Sequence, residues 1–135
     1  MNEISVAAKL ENMQKVLDFI SEELEKIGCS MKSQMQLALV AEEIYVNIVN
    51  YAYQAELGKA TVKIETENDP LKVIIQFVDS GIPYNPLERT DPDITLSADE
   101  REIGGLGVYL TKKLTDNVGY EYIDGMNVLT LEKYC

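Results

Sequence analysis

The sequence predicts an α+β fold, a two-layer sandwich in which a few helices cover a sheet whose strands are mostly paired as hairpins. Three observations carry this reading. Two long segments repeat apolar residues at helical spacing, and five short segments read as strands from period-two alternation or a short apolar run. Turn residues join neighbouring strands so closely that hairpins are the natural connection.

Residues 4–10 alternate as a short strand. Residues 11–27 form a helix, because Met13, Val16, Leu17, Ile20, Leu24 and Ile27 recur at helical spacing and Gly28 stops it. A second helix is expected over 33–53, apolar nearly all round as a buried helix is. In 60–67, Val62, Ile64 and Thr66 alternate with charged residues. Asn68, Asp69 and Pro70 then turn the chain into the apolar strand 71–78. Across 79–103 the periodicity dissolves among glycine, prolines and acids, and so long a loop in a compact domain is usually functional or disordered. A short helix is expected over 106–114. Strands 118–123 and 127–133 close the chain as a hairpin across Asp124-Gly125.

A chain of 135 residues fits one domain, and 46% hydrophobic residues give it a core that has no need of disulfides. No apolar run of about 18 residues is available to span a membrane, and residues 1–9 lack the layout of a signal peptide, so a cytoplasmic location is expected. The net charge of −11 disfavours nucleic acid and anionic lipid as partners. Histidine is absent, and Cys29 and Cys135 have no zinc spacing, which excludes zinc sites and histidine-based nucleophilic chemistry.

Three places could carry chemistry. In the second helix Glu43, Asn47, Asn50 and Gln54 share one face at spacings of four, three and four. The strip could simply meet solvent, but asparagine is a poor helix former, and its carbonyl oxygens suit a hard cation such as Mg²⁺. Asp79-Ser80-Gly81 ends an apolar strand. It is an ordinary turn sequence, or a carboxylate placed to accept from an exocyclic amine with a glycine giving a flat base room. Gly104, Gly105 and Gly107 open a helix, where backbone N–H groups and the helix dipole favour phosphate. Neither a Rossmann nor a Walker pattern fits that glycine cluster.

Taken together, Glu43-x-x-x-Asn47, then Asp79-x-Gly81, then a long loop ending in Gly104-Gly105-x-Gly107 resembles the GHKL nucleotide-binding family across nearly the whole chain. The stretches DSGIPYNP and GGLGVYLTKKLTDNVGY resemble its anti-sigma-factor serine kinase branch. The resemblance implies a Bergerat-type fold with a mixed, mostly antiparallel sheet and helices on one face. It implies ATP and Mg²⁺ as cofactors, with Asn47 on the metal, Asp79 on the adenine amine beside Gly81, and Gly104, Gly105 and Gly107 around the phosphates. Thr130 would help hold the adenine, although it is equally a plain strand residue. Glu43 would be the base that accepts the proton of a protein serine. The implied partner is a STAS-type anti-anti-sigma protein, with a sigma factor and a second copy of the chain as further candidates.

Two departures stand out. Many anti-sigma kinases carry histidine where this chain has Asn50, and the only basic residues in 80–103 are Arg89 and Arg101. Phosphoryl transfer depends on neutralising charge. Two functions therefore compete: an ATP-dependent serine/threonine kinase working by partner switching, and a nucleotide-binding adaptor that transfers nothing.

Overall fold

The computed structural model describes residues 2–52, 58–83 and 111–135, the side chains of residues 51 and 52 excepted. Strand β1 (Asn2–Ala7) leads through a 3-10 turn, Leu10–Asn12, into α1 (Met13–Lys26), and α2 (Met31–Asn47) follows. Strands β2 (Lys59–Glu67), β3 (Lys72–Asp79), β4 (Asn117–Ile123) and β5 (Met126–Tyr134) complete one five-stranded sheet in the order β1-β2-β3-β5-β4. Every pairing is antiparallel. The mixed sheet expected from the resemblance is thus, among the described residues, wholly antiparallel, while the two-layer α+β architecture stands.

Local chemistry explains the boundaries. Gly28 ends the α1 region at φ +80°, a conformation that favours glycine. Ser30 caps α2 by accepting from the Ser33 backbone N–H at 3.2 Å, so the helix begins two residues before the expected start. Asp124 and Gly125 both take positive φ (53° and 75°), as a two-residue hairpin turn between right-twisted strands requires. Residues 111–114 are helical, at the end of the helix expected over 106–114. The rest of that helix lies outside the described residues.

One face of the sheet and the facing stripes of both helices make the core. Val16, Ile20 and Leu24 of α1 and Leu37, Val40 and Ile44 of α2 close over Val62, Ile64, Val73, Ile75, Phe77, Leu129 and Leu131. Tyr45 is fully buried, and its hydroxyl donates to the carbonyls of Lys9 (2.6 Å) and Ala7 (3.3 Å), tying α2 to the end of β1. The expectation that α2 is buried all round is corrected: Met31, Met35 and Leu39 stay 70%, 64% and 52% exposed. A two-layer sandwich covers only the sheet-facing side of a helix.

Cys29 and Cys135, 106 positions apart in sequence, are joined by a disulfide with their Cα atoms 4.9 Å apart. Composition gave no hint of this, because the pairing depends on β5 ending beside the α1–α2 turn. Closing a loop of about 100 residues restricts the unfolded chain by about 4–5 kcal/mol. Reducing the oxidised protein should therefore lower Tm by on the order of 10 °C, and Cys135→Ser should show the lower value with or without reductant. Equal melting of oxidised and reduced wild type would contradict the staple.

Candidate functional site

The core face of the sheet is built in rows. Ile64, Ile75 and Leu131 lie side by side across β2, β3 and β5, and Val62, Phe77 and Leu129 form the next row. One step further toward the end of β3, the same face carries Ala60, Asp79 and Asn127. Apolar rows thus give way to a polar one, yet Asp79 and Asn127 remain 7% and 5% exposed. Burying a carboxylate and an amide is costly unless each is bonded.

Here they bond each other. Asn127 Nδ2 donates to Asp79 Oδ1 at 2.9 Å and to the Ile82 carbonyl at 2.8 Å. The backbone N–H of Gly81 donates to the same Oδ1 at 2.9 Å, an Asx-type turn that folds the chain back over the carboxylate. The Tyr120 hydroxyl donates to Asn127 Oδ1. Among the described residues both bonds to the Asp79 carboxyl end on Oδ1, which leaves Oδ2 as an acceptor for a further donor. Burial pushes the Asp79 carboxyl above its ordinary range, and the Asn127 and Gly81 bonds only partly pull it back. A hydrogen-bond donor is the ligand group that such a site suits.

On the helix layer, the core-facing series Leu37, Val40, Ala41 and Ile44 continues into Asn47, the last residue of α2, at 8% exposure. Its Oδ1 is buried with no hydrogen-bond partner among the described residues. An orphaned buried carbonyl oxygen costs about 1–3 kcal/mol, and oxygen of this kind is what Mg²⁺ takes as a ligand. By donor chemistry, Asn47 fits the metal that the resemblance implies.

Beyond Asn47 the polar strip expected on α2 comes apart. The helix widens into a π-turn at Ile48–Ala52, whose longer hydrogen-bonded ring changes the angular step per residue. Asn50 is exposed while Asn47 is buried, and Gln54 lies outside the described residues. Glu43, one turn before Asn47, is partly buried. Gly81 stands at Asp79 as expected. Gly104, Gly105 and Gly107, with Arg89 and Arg101, lie outside the described residues.

Thr130 is not brought to Asp79. It pairs in register with Gln76, whose Nε2 donates to Thr130 Oγ1 at 3.2 Å, and it alternates with Leu129 and Leu131 onto the opposite face of the sheet. The residue beside Asp79 on the core face is Asn127, which sequence reasoning missed. The parity was there to be read: Asn127 shares the period-two phase of Leu129 and Leu131 and so occupies a core position.

Comparison with known proteins bears on this geometry. Residues 6–133 match the model of the histidine kinase-like ATPase domain. This chain belongs to that family. Its similarity runs to the serine kinases of the family. It is 28% identical over 105 residues to the serine/threonine-protein kinase BtrW of Bordetella bronchiseptica, covering 78% of this chain and 73% of that one. It is 25% identical over 136 residues to the serine-protein kinase RsbW of Bacillus mycoides, covering 98% and 83%. In fold it is similar to the solved RsbU and RsbW domains of Rv1364c from Mycobacterium tuberculosis (TM-score 0.69, 15% identity), covering 99% of this chain and 32% of that polypeptide.

Asp79 should leave a signature in the ligand-free protein. Its folded pKa is raised, so between its unfolded value of about 3.9 and the folded value the native state holds more protons than the unfolded. The stability contributed by this group is full below that window and is lost as pH rises through it. Asp79→Asn has no such loss. The Tm of the variant minus that of wild type, measured by calorimetry in steps from pH 4 upward, should therefore rise and then level off. A difference that falls with pH would contradict the burial argument.

Proposed function

We propose that this domain binds ATP with Mg²⁺ and transfers the γ-phosphoryl group to a serine of a STAS-type anti-anti-sigma protein, switching a sigma factor between partners. The observation that supports it most directly is the buried Asp79 with Oδ2 unspent, held beside Gly81 in a histidine kinase-like ATPase domain. The serine-kinase names of the similar chains support the reaction type.

In this reading Asp79 Oδ2 accepts the adenine 6-amino group and the glycine at 81 lets the base approach. Gly104, Gly105 and Gly107 supply backbone N–H groups to the phosphates. Asn47 Oδ1 would hold Mg²⁺, whose chemistry when bound is to neutralise charge on the phosphate oxygens. The serine Oγ attacks the γ-phosphorus and the bond to the β–γ bridging oxygen breaks. ADP leaves, and Glu43 accepts the hydroxyl proton. Thr130 has no part in it, since its side chain faces the other side of the sheet.

Among the described residues no helix is long and apolar enough to cross a membrane. We take the working compartment to be the cytoplasm, where thiols are kept reduced. The Cys29–Cys135 bridge would then belong to oxidising conditions.

Glu43 decides between a kinase and a passive binder. General-base catalysis contributes about 10²–10⁴-fold, and glutamine keeps shape and hydrogen bonding while removing the base. With a cognate STAS protein as acceptor, Glu43→Gln should bind ATP within about threefold of wild type yet lose transfer by about 10²-fold or more, read by intact-mass analysis of the acceptor. Equal transfer rates would remove Glu43 from its role. ATP binding without transfer by wild type would favour the adaptor.

A further inference from the structure

Asn127 was not among the residues the sequence pattern or the resemblance supplied, yet its side chain bonds Asp79, the Ile82 carbonyl and Tyr120. We propose that Asn127 is a positioning residue for nucleotide specificity: by holding Asp79 Oδ1 and the Ile82 carbonyl, it aims Asp79 Oδ2 at the 6-amino group of adenine. The inference rests on the adenine-binding reading and names the residue that makes the reading selective.

The donor and acceptor inventory fixes its orientation. The amide nitrogen has two hydrogens, and they go to Asp79 Oδ1 and the Ile82 carbonyl, both acceptors. The amide oxygen takes the Tyr120 hydroxyl. Flipping the amide would set its oxygen against two acceptors and its nitrogen against a donor already committed to it. The side chain therefore has one satisfied orientation.

That orientation does two things at once. It ties one oxygen of the carboxylate, which fixes the plane of the group and so the direction of the second oxygen. It also spans the Asp79-Ser80-Gly81-Ile82 turn, because one amide group bonds both the first residue and the last. The Gly81 N–H closes the same loop from inside. Shorter or acceptor-only side chains cannot do this from position 127. Serine or threonine has one donor, leucine none, and aspartate would set a second carboxylate against Asp79. Thr130, the residue the resemblance offers for the base, lies on the far face of the sheet.

A positioning role is separable from a merely structural one by the ligand that lacks the group being read. Purine riboside 5′-triphosphate is ATP without the 6-amino group. Calorimetry with Mg²⁺ should give wild type a preference for ATP of about 10-fold or more, the range of a hydrogen bond to a charged acceptor. Asn127→Ala should hold purine riboside triphosphate nearly as wild type does while its preference for ATP collapses to about threefold or less. Tyr120→Phe keeps the bonds at Asp79 but releases the amide oxygen, and should give an intermediate ratio with less risk to folding. Melting curves confirm that each variant is folded. A structural role alone would weaken both ligands equally and leave the ratio unchanged. An unchanged ratio in the folded variants, with wild type discriminating, overturns this inference and leaves adenine binding standing. A wild type that binds neither nucleotide, or both equally, overturns the adenine reading and this inference with it.

Discussion

A carboxylate buried at the end of an otherwise apolar sheet face has to be held by something, and the architecture around Asp79 is the consequence. Its row, Ala60–Asp79–Asn127, continues the rows of Val62–Phe77–Leu129 and Ile64–Ile75–Leu131. The antiparallel register that aligns the hydrophobes therefore also sets Asn127 opposite Asp79. Slipping β5 by one residue would turn its core residues to the other face and would remove the amide from the carboxylate in the same movement. Packing and site geometry are one constraint here.

The helix layer shows the same economy. The stripe of α2 that packs on the sheet ends in Asn47, where the next core residue would stand, and the backbone then widens into the π-turn. An unpartnered buried Oδ1 is tolerated where binding something later satisfies it. Both layers thus carry a polar side chain at the end of an apolar stripe, each with an acceptor oxygen uncommitted among the described residues. For a histidine kinase-like ATPase domain, that is a coherent division of labour.

Much of the fold was legible in the sequence because it follows from short-range patterns. Alternation placed β2, β3, β4 and β5 to within about two residues at each end, the apolar repeat placed α1, and Asp124-Gly125 announced the closing hairpin. Asp79 was legible as a candidate because it ends an apolar strand and opens the Asp79-x-Gly81 pattern. What was not legible depended on register or on distance. Parity alone could place Asn127 on the core face with Leu129 and Leu131, but only the pairing register of β3 with β5 sets it opposite Asp79. The polar strip along α2 assumed a constant helical period that the π-turn breaks. The Cys29–Cys135 pairing links positions that no local pattern connects.

The central claim is that the polar end of this core face is where the adenine sits. Its most direct test is a pair of ¹⁵N-correlation spectra of the protein with and without Mg-ATP, assigned at the Gly81 backbone amide and the Asn127 side-chain amide. Both groups bond the carboxylate that is to receive the base, so both signals should shift strongly and saturably, in step with one another. Nucleotide binding that perturbs other residues while leaving Gly81 and Asn127 unmoved would contradict the account.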